Sequence, residues 1–159
     1  IGNRDFRIYT ICRDQAVIDY LFDEGVKFWE NYIETDTIRA CTVTSYDSGK
    51  AEPVPFYDME AAHGRDPYEM FLNGADALLV IENPSANSGR ELIIFRDSFG
   101  SSITPLLAEG YKTVTLIDIR EIPSPNLKIL AKYIGLDFTG KDVLMLYSVP
   151  VLNNSQTIK

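Results

Sequence analysis

The chain reads as an α/β protein: a three-layer α/β/α arrangement around a parallel sheet, preceded by a helical segment and a β-hairpin. Three observations carry that reading. From residue 77 onward, short apolar runs alternate with helical patterns and turn signals. The connections after residue 96 have the length that parallel neighbours need, and right-handed crossovers place helices on the sheet's faces. The run at 91–96 has no polar alternation inside it, as expected of a strand buried on both faces.

The elements follow in order. Residues 1–37 hold apolar positions at near-helical spacing (Ala16, Val17, Tyr20, Leu21 and Phe22, then Val26, Phe28, Trp29 and Tyr32), which predicts one or two helices interrupted at Gly25. Residues 38–57 are β-rich around the turn signal Asp47-Ser48-Gly49-Lys50 and predict a hairpin. Pro53 and Pro55 remove two ladder donors from its second strand, which therefore belongs on an edge. At Asp66-Pro67 an N-cap is followed by proline at the first helical position, so a short helix is expected there, ending at Asn73-Gly74. Strands are expected at 77–82, 91–96, 113–118 and 142–149, and helices at 98–110 and 126–135. The turn formers of 83–89 separate the first two strands, and 153–159 reads as a loose tail.

At 159 residues the length suits one domain, here expected to comprise the helical segment 1–37, the hairpin 38–57 and the α/β core 77–152. The chain starts with Ile1 rather than Met, and the expectation is that it is part of a longer polypeptide. A net charge of −8 without a basic cluster argues against nucleic-acid binding, which needs Lys and Arg for phosphate contacts. No apolar run reaches the roughly 18 residues of a membrane span, so membrane association would come through residues outside this chain. Cys12 and Cys41 are too few for a disulfide framework or a closed zinc site, and whether they pair is not legible. Neither GxGxxG nor GxxxxGK[ST] is present, which counts against a phosphate- or nucleotide-binding domain.

The candidate site is the junction Arg96-Asp97-Ser98-Phe99-Gly100. In open α/β sheets ligands gather at the carboxyl ends of strands. Ser98 stands at such an end, where unpaired N–H groups and the helix dipole favour negative charge. A serine nucleophile needs that setting, because its attack on an ester creates an oxyanion. The plainer alternative is that Ser98 or Asp97 caps the helix. A serine also needs a base. The single histidine, His63, lies in an expected loop. Asp97 and Asp118 at neighbouring strand ends could do acid–base work or hold a cation, with Arg120 available to pair with one of them; no metal or other cofactor is called for.

These residues carry a family resemblance. LIIFRDSFGSS (92–102), Pro105, Leu106, Leu107 and Tyr111, LIDIR (116–120), DVLMLY (142–147) and the upstream DPYEMFLNG (66–74) resemble the C-terminal part of the DHHW protein family, over about residues 38–152. That family groups bacterial, mostly Firmicutes, envelope-associated proteins with the SGNH-hydrolase-like fold, alongside alginate O-acetyltransferase-type domains. The resemblance implies a flavodoxin-like core, Ser98 as nucleophile after Asp97, and oxyanion support from Asn73 and Gly74 with the N–H of Ser98 or Phe99. It implies a carbohydrate or acyl-ester substrate, serine-dependent esterase or O-acyltransferase chemistry, and a place outside the cell or in the envelope of a Gram-positive bacterium. Arg96 departs from the glycine common in wider SGNH enzymes. The family's base lies in an Asp-His-His-Trp motif upstream of the serine, which is absent here, and His63 does not match it. Two readings follow: an enzyme whose base comes from outside these residues, or an inactive module that binds glycan or a partner protein.

Overall fold

The computed structural model describes residues 40–74, 76–122 and 124–153, together with positions 16, 20, 23–25 and 27. The chain divides into two compact units, Ile1–Thr35 and Asp36–Lys159. In the first, every described position is helical, Gly25 included, so the expected interruption does not fall there. Lys27 Nζ lies 2.7 Å from a Glu24 carboxylate oxygen one helical turn away. The rest of that helical expectation, Cys12 and the tail at 154–159 lie outside the described residues.

The second unit is built on a six-stranded sheet. Its strands are β1 (Thr42–Ser45), β2 (Glu52–Val54), β3 (Leu78–Glu82), β4 (Glu91–Arg96), β5 (Thr113–Ile117) and β6 (Asp142–Leu146). Its helices are α1 (Met59–Ala62), α2 (Phe99–Ala108), α3 (Ser124–Tyr133) and α4 (Val149–Asn153), with a short 3-10 helix at Pro67–Met70. The strand order is β2-β1-β3-β5-β4-β6.

The sheet is mixed, which corrects the expected parallel one. β4 runs parallel to both β5 and β6, as the crossover lengths predicted, but β3 runs antiparallel to β5. The cause is the connection at 83–90. Asn83 N–H donates to Lys112 O and Lys112 N–H to Arg90 O, both at 2.8 Å, so the loop starts and finishes at one end of the sheet. A connection that never crosses the sheet must send the next strand back.

The hairpin forms as expected, with Val43 opposite Val54 and β2 on an edge. Its turn aspartate also reaches beyond the hairpin. The Asp47 carboxylate accepts from the N–H groups of Ala77 and Leu78 at 2.8–2.9 Å, tying the turn to the start of β3. Asp66 caps as expected, accepting from Tyr68 N–H at 3.0 Å with proline next. The helix stops after one 3-10 turn because Phe71 becomes extended and bridges to Tyr57, while Leu72 N–H donates to Phe56 O at 3.1 Å. The strand expected to reach 149 ends at Leu146, and the chain coils into α4.

Each face of the sheet carries its own apolar cluster. Val43, Leu79, Ile81, Leu92, Ile94, Val114 and Leu116 pack with Ala108 of α2 on one side. Leu78, Ile93 and Ile117 pack with Ile122, Ile134 and Leu136 on the other. β4 lies between β5 and β6 and is buried along most of its length, so its carboxyl end is held from both sides.

Candidate active site

β4 delivers three consecutive residues to its carboxyl end, and strand alternation sends them different ways. Arg96 continues the face of Leu92 and Ile94 and passes beneath α2, where it is 1% exposed. Its Nη1 donates to Ser101 Oγ at 3.0 Å and its Nη2 to Asp76 O at 2.6 Å. Its Nε is buried without a partner among the described residues. Burial pulls this guanidinium below its ordinary value, while Asp118, Asp47 and Asp76 pull it back up. α2 can pass over Arg96 only because position 100 is glycine: a Cβ there would stand 2.5 Å from Arg96 Cβ. The departure at Arg96 and Gly100 four residues later are thus one packing unit.

Asp97 is also 1% exposed, and its carboxylate is spent on backbone donors from two elements. Oδ1 accepts from Phe99 N–H at 3.1 Å, and Oδ2 from Ser148 N–H at 2.6 Å. Burial alone would raise this carboxyl, but the bonds from Ser148 and Phe99 outweigh it and hold it below the usual value.

Ser98 occupies the N-cap position yet makes no side-chain cap bond, with φ −56° and ψ −30°. Aspartate has taken the capping contact, and the serine stands exposed at the helix start with its hydroxyl unspent among the described residues. Next to it, Phe99 is 62% exposed. Tyr68, which nothing in the sequence singled out, sits against this turn. Its ring meets Phe99 edge-on at 6.0 Å, and its hydroxyl lies 2.6 Å from Ser102 Oγ and 3.2 Å from Phe99 O. The Asp66-Pro67 helix start was the one local signal that could have placed it.

On the neighbouring strand, Asp118 is 1% exposed and forms a fork with Arg120. Nε donates to Oδ1 at 2.9 Å and Nη2 to Oδ2 at 2.5 Å, and Arg120 N–H adds a third bond at 3.0 Å. The hydrogen bond to Asp118 raises the Arg120 guanidinium above its ordinary value. Tyr147, just after β6, has a buried hydroxyl without a partner among the described residues, and burial beside Asp118 raises its phenol. The carboxyl ends of β4, β5 and β6 therefore gather Ser98, Asp97, Asp118, Arg120 and Tyr147 at one edge of the sheet.

The other expected site residues are spent elsewhere. Asn73 Nδ2 donates to Asp76 Oδ2 at 2.9 Å, and Gly74 N–H to Phe71 O at 3.0 Å. The Asn73-Gly74 loop reaches the junction through Asp76, whose carbonyl receives Arg96. Leu72, Asn73 and Gly74 all have positive φ (52°, 60° and 73°), a run that only Gly74 adopts without strain. Phe99 N–H is held by Asp97. His63 is exposed at the carboxyl end of α1, its N–H on Glu60 O, and Ser98 makes no hydrogen bond to it. Among the described residues no three His, Cys, Asp or Glu side chains converge as metal ligands would. A hollow of about 310 Å³ lined by Thr42, Glu82, Asn83, Lys112 and Thr113 lies where β1 and β5 begin and β3 ends, away from Ser98.

No protein-family model and no curated protein matches this sequence. Solved structures do. Bacillus cereus PatB1 superposes with a TM-score of 0.54 at 25% identity, over 70% of this chain and 36% of that one. PatB1 with a sulfonyl adduct gives 0.54 at 24%, over 70% and 38%. A DHHW family protein from Eubacterium siraeum gives 0.51 at 24%, over 74% and 38%. This chain thus spans less than two-fifths of the length of these solved proteins. What is common to them is an α/β fold, and the structural neighbours include a protein bearing the name of the family that the Asp-Ser junction resembles.

Proposed function

We propose that this chain is the serine-bearing part of an SGNH-like acyl-transfer protein, an esterase or O-acetyltransferase acting on a cell-surface or extracellular glycan. One observation carries the reading. Ser98 is exposed at the carboxyl end of β4, a strand flanked on both sides, at a helix start, with its hydroxyl relieved of capping by Asp97. In the reaction, Ser98 Oγ attacks the acyl carbon of an ester, the ester C–O bond breaks, and the alcohol leaves with a proton. Water or a glycan hydroxyl then takes the acyl group from Ser98. Of the two expected backbone donors, the Ser98 N–H is the one left for the forming oxyanion, since Phe99 N–H is committed to Asp97. The base is a histidine from outside these 159 residues, because His63 lies on α1 and does not bond Ser98. The flavodoxin-like layering, the envelope location in a Gram-positive bacterium and the carbohydrate or acyl-ester partner belong to the same proposal. The similarity to PatB1 and to the DHHW protein supports it.

The sulfonyl adduct in PatB1 suggests the probe. Treating the longer protein that supplies the histidine base with methanesulfonyl fluoride and mapping the product by peptide mass spectrometry should place one methylsulfonyl group on Ser98. No adduct on Ser98, or an equal yield from Ser98→Ala, would overturn the reading. The absence of a histidine bonded to Ser98 favours the second reading, an inactive module that binds glycan or a partner. Its test is calorimetric titration with cell-wall oligosaccharides: binding that survives Ser98→Ala alongside an unreactive Ser98 supports it, and no heat at millimolar ligand removes it.

A further inference from the structure

We propose that Asp97 is the positioning residue for Ser98: one carboxylate oxygen takes the capping contact from the serine, and the other ties the serine's turn to the turn that follows β6. The inference rests on reading Ser98 as the nucleophile.

A serine at a helix N-cap ordinarily sits in the β region and spends its oxygen on an N–H two or three residues on. Ser98 instead has helical dihedrals and no cap bond, and the contact it would make is made one residue earlier, from Phe99 N–H to Asp97 Oδ1. The same carboxylate accepts from Ser148 N–H at 2.6 Å, across 51 residues of sequence. Asp97 N–H donates to Leu146 O at 3.3 Å, so the two strand ends are joined on both sides of Tyr147. Bonds from N–H to an ionised carboxylate are about twice as strong as neutral ones. The carboxylate therefore holds the β4-to-α2 turn and the β6-to-α4 turn as one piece. The charged and titratable side chains that act on it are the Arg120 guanidinium at the end of β5 and the Tyr147 phenol at the end of β6.

Two measurements decide this, the first on the 159-residue chain and the second on the longer protein that supplies the histidine base. In the first, the amide signals of Phe99 and Ser148 are followed by NMR as pH falls. They are expected to titrate together, with one midpoint below the usual aspartate value, and to lose that transition in Asp97→Asn. In the second, the rate of Ser98 sulfonylation by methanesulfonyl fluoride is compared across variants and pH. Ser148→Pro deletes the distant N–H while leaving Asp97 and Ser98 in place, and is expected to slow sulfonylation about tenfold, the worth of one such bond. Asp97→Asn should slow it similarly and flatten the low-pH limb of its rate profile. Separate midpoints for the two amides, or transitions unchanged in Asp97→Asn, would overturn the positioning role. An unreactive wild-type Ser98 with coupled amides would instead sink the nucleophile reading and leave the clamp standing.

Discussion

Two neighbouring strand ends use the same residue in opposite ways. β4 and β5 each finish on an aspartate that is 1% exposed, at the same end of the sheet. Asp97 is neutralised by backbone N–H groups from two other elements, Asp118 by the side chain of Arg120 two residues on. The first solution carries no side-chain cation and leaves the next residue exposed with an unspent hydroxyl. The second locks its own loop and leaves nothing for chemistry. A buried carboxylate needs partners in either case; which partners it finds decides whether the turn becomes a candidate site or a structural corner.

The largest expected effect on this contrast comes from the packing under Ser98. Alanine normally stabilises a helix relative to glycine by about 1 kcal/mol. Gly100→Ala should do the reverse and lower stability by about 3 kcal/mol, because its Cβ would fall 2.5 Å from Arg96 Cβ. Urea unfolding measures it, and an unchanged midpoint would mean that α2 does not need the glycine.

At the β5 end, Asp118→Asn should cost about 2 kcal/mol, below the range for a fully buried pair because the Arg120 side chain is 22% exposed. The same unfolding experiment reads it, and a loss under about 0.5 kcal/mol would place the fork among ordinary surface pairs.

At the β4 end the signature is pH. Asp97 is held below its ordinary value, so its stabilising contribution is complete above the unfolded aspartate value of about 3.9 and disappears as pH falls through the lower folded value. Unfolding midpoints between about pH 5 and pH 2 should therefore fall less steeply in Asp97→Asn than in the wild type. Parallel slopes would count against the clamp.

The smallest effects separate two tyrosines. Tyr68→Phe loses the bond to Ser102 and should cost about 1 kcal/mol. Tyr147→Phe removes a buried hydroxyl that has no partner among the described residues and should be neutral or stabilising by up to about 1 kcal/mol. A destabilised Tyr147→Phe would show that this hydroxyl has a partner in solution.

The two sheet edges repeat the lesson that position changes meaning. Pro53 marked β2 as an edge strand in the sequence alone, and β2 is one. Nothing in DVLML marked β6, yet among the described residues it pairs only with β4, and Met145 on one of its faces is 73% exposed. An apolar run reads as buried whichever neighbour it lacks.

What the residues determined by themselves was local: the order of strands and helices from residue 77, the hairpin with its proline edge, the cap at Asp66 and the strand-to-helix turn at Ser98. Each depends on neighbours a few positions apart, which periodicity and turn chemistry record. Tertiary structure decided the direction of β3, the end of the helix at Met70, Asp47 binding β3 across 30 residues, and Asp97 rather than Ser98 as the cap. Those outcomes rest on hydrogen-bond partners that come together only when the sheet assembles, and no spacing along the chain announces them.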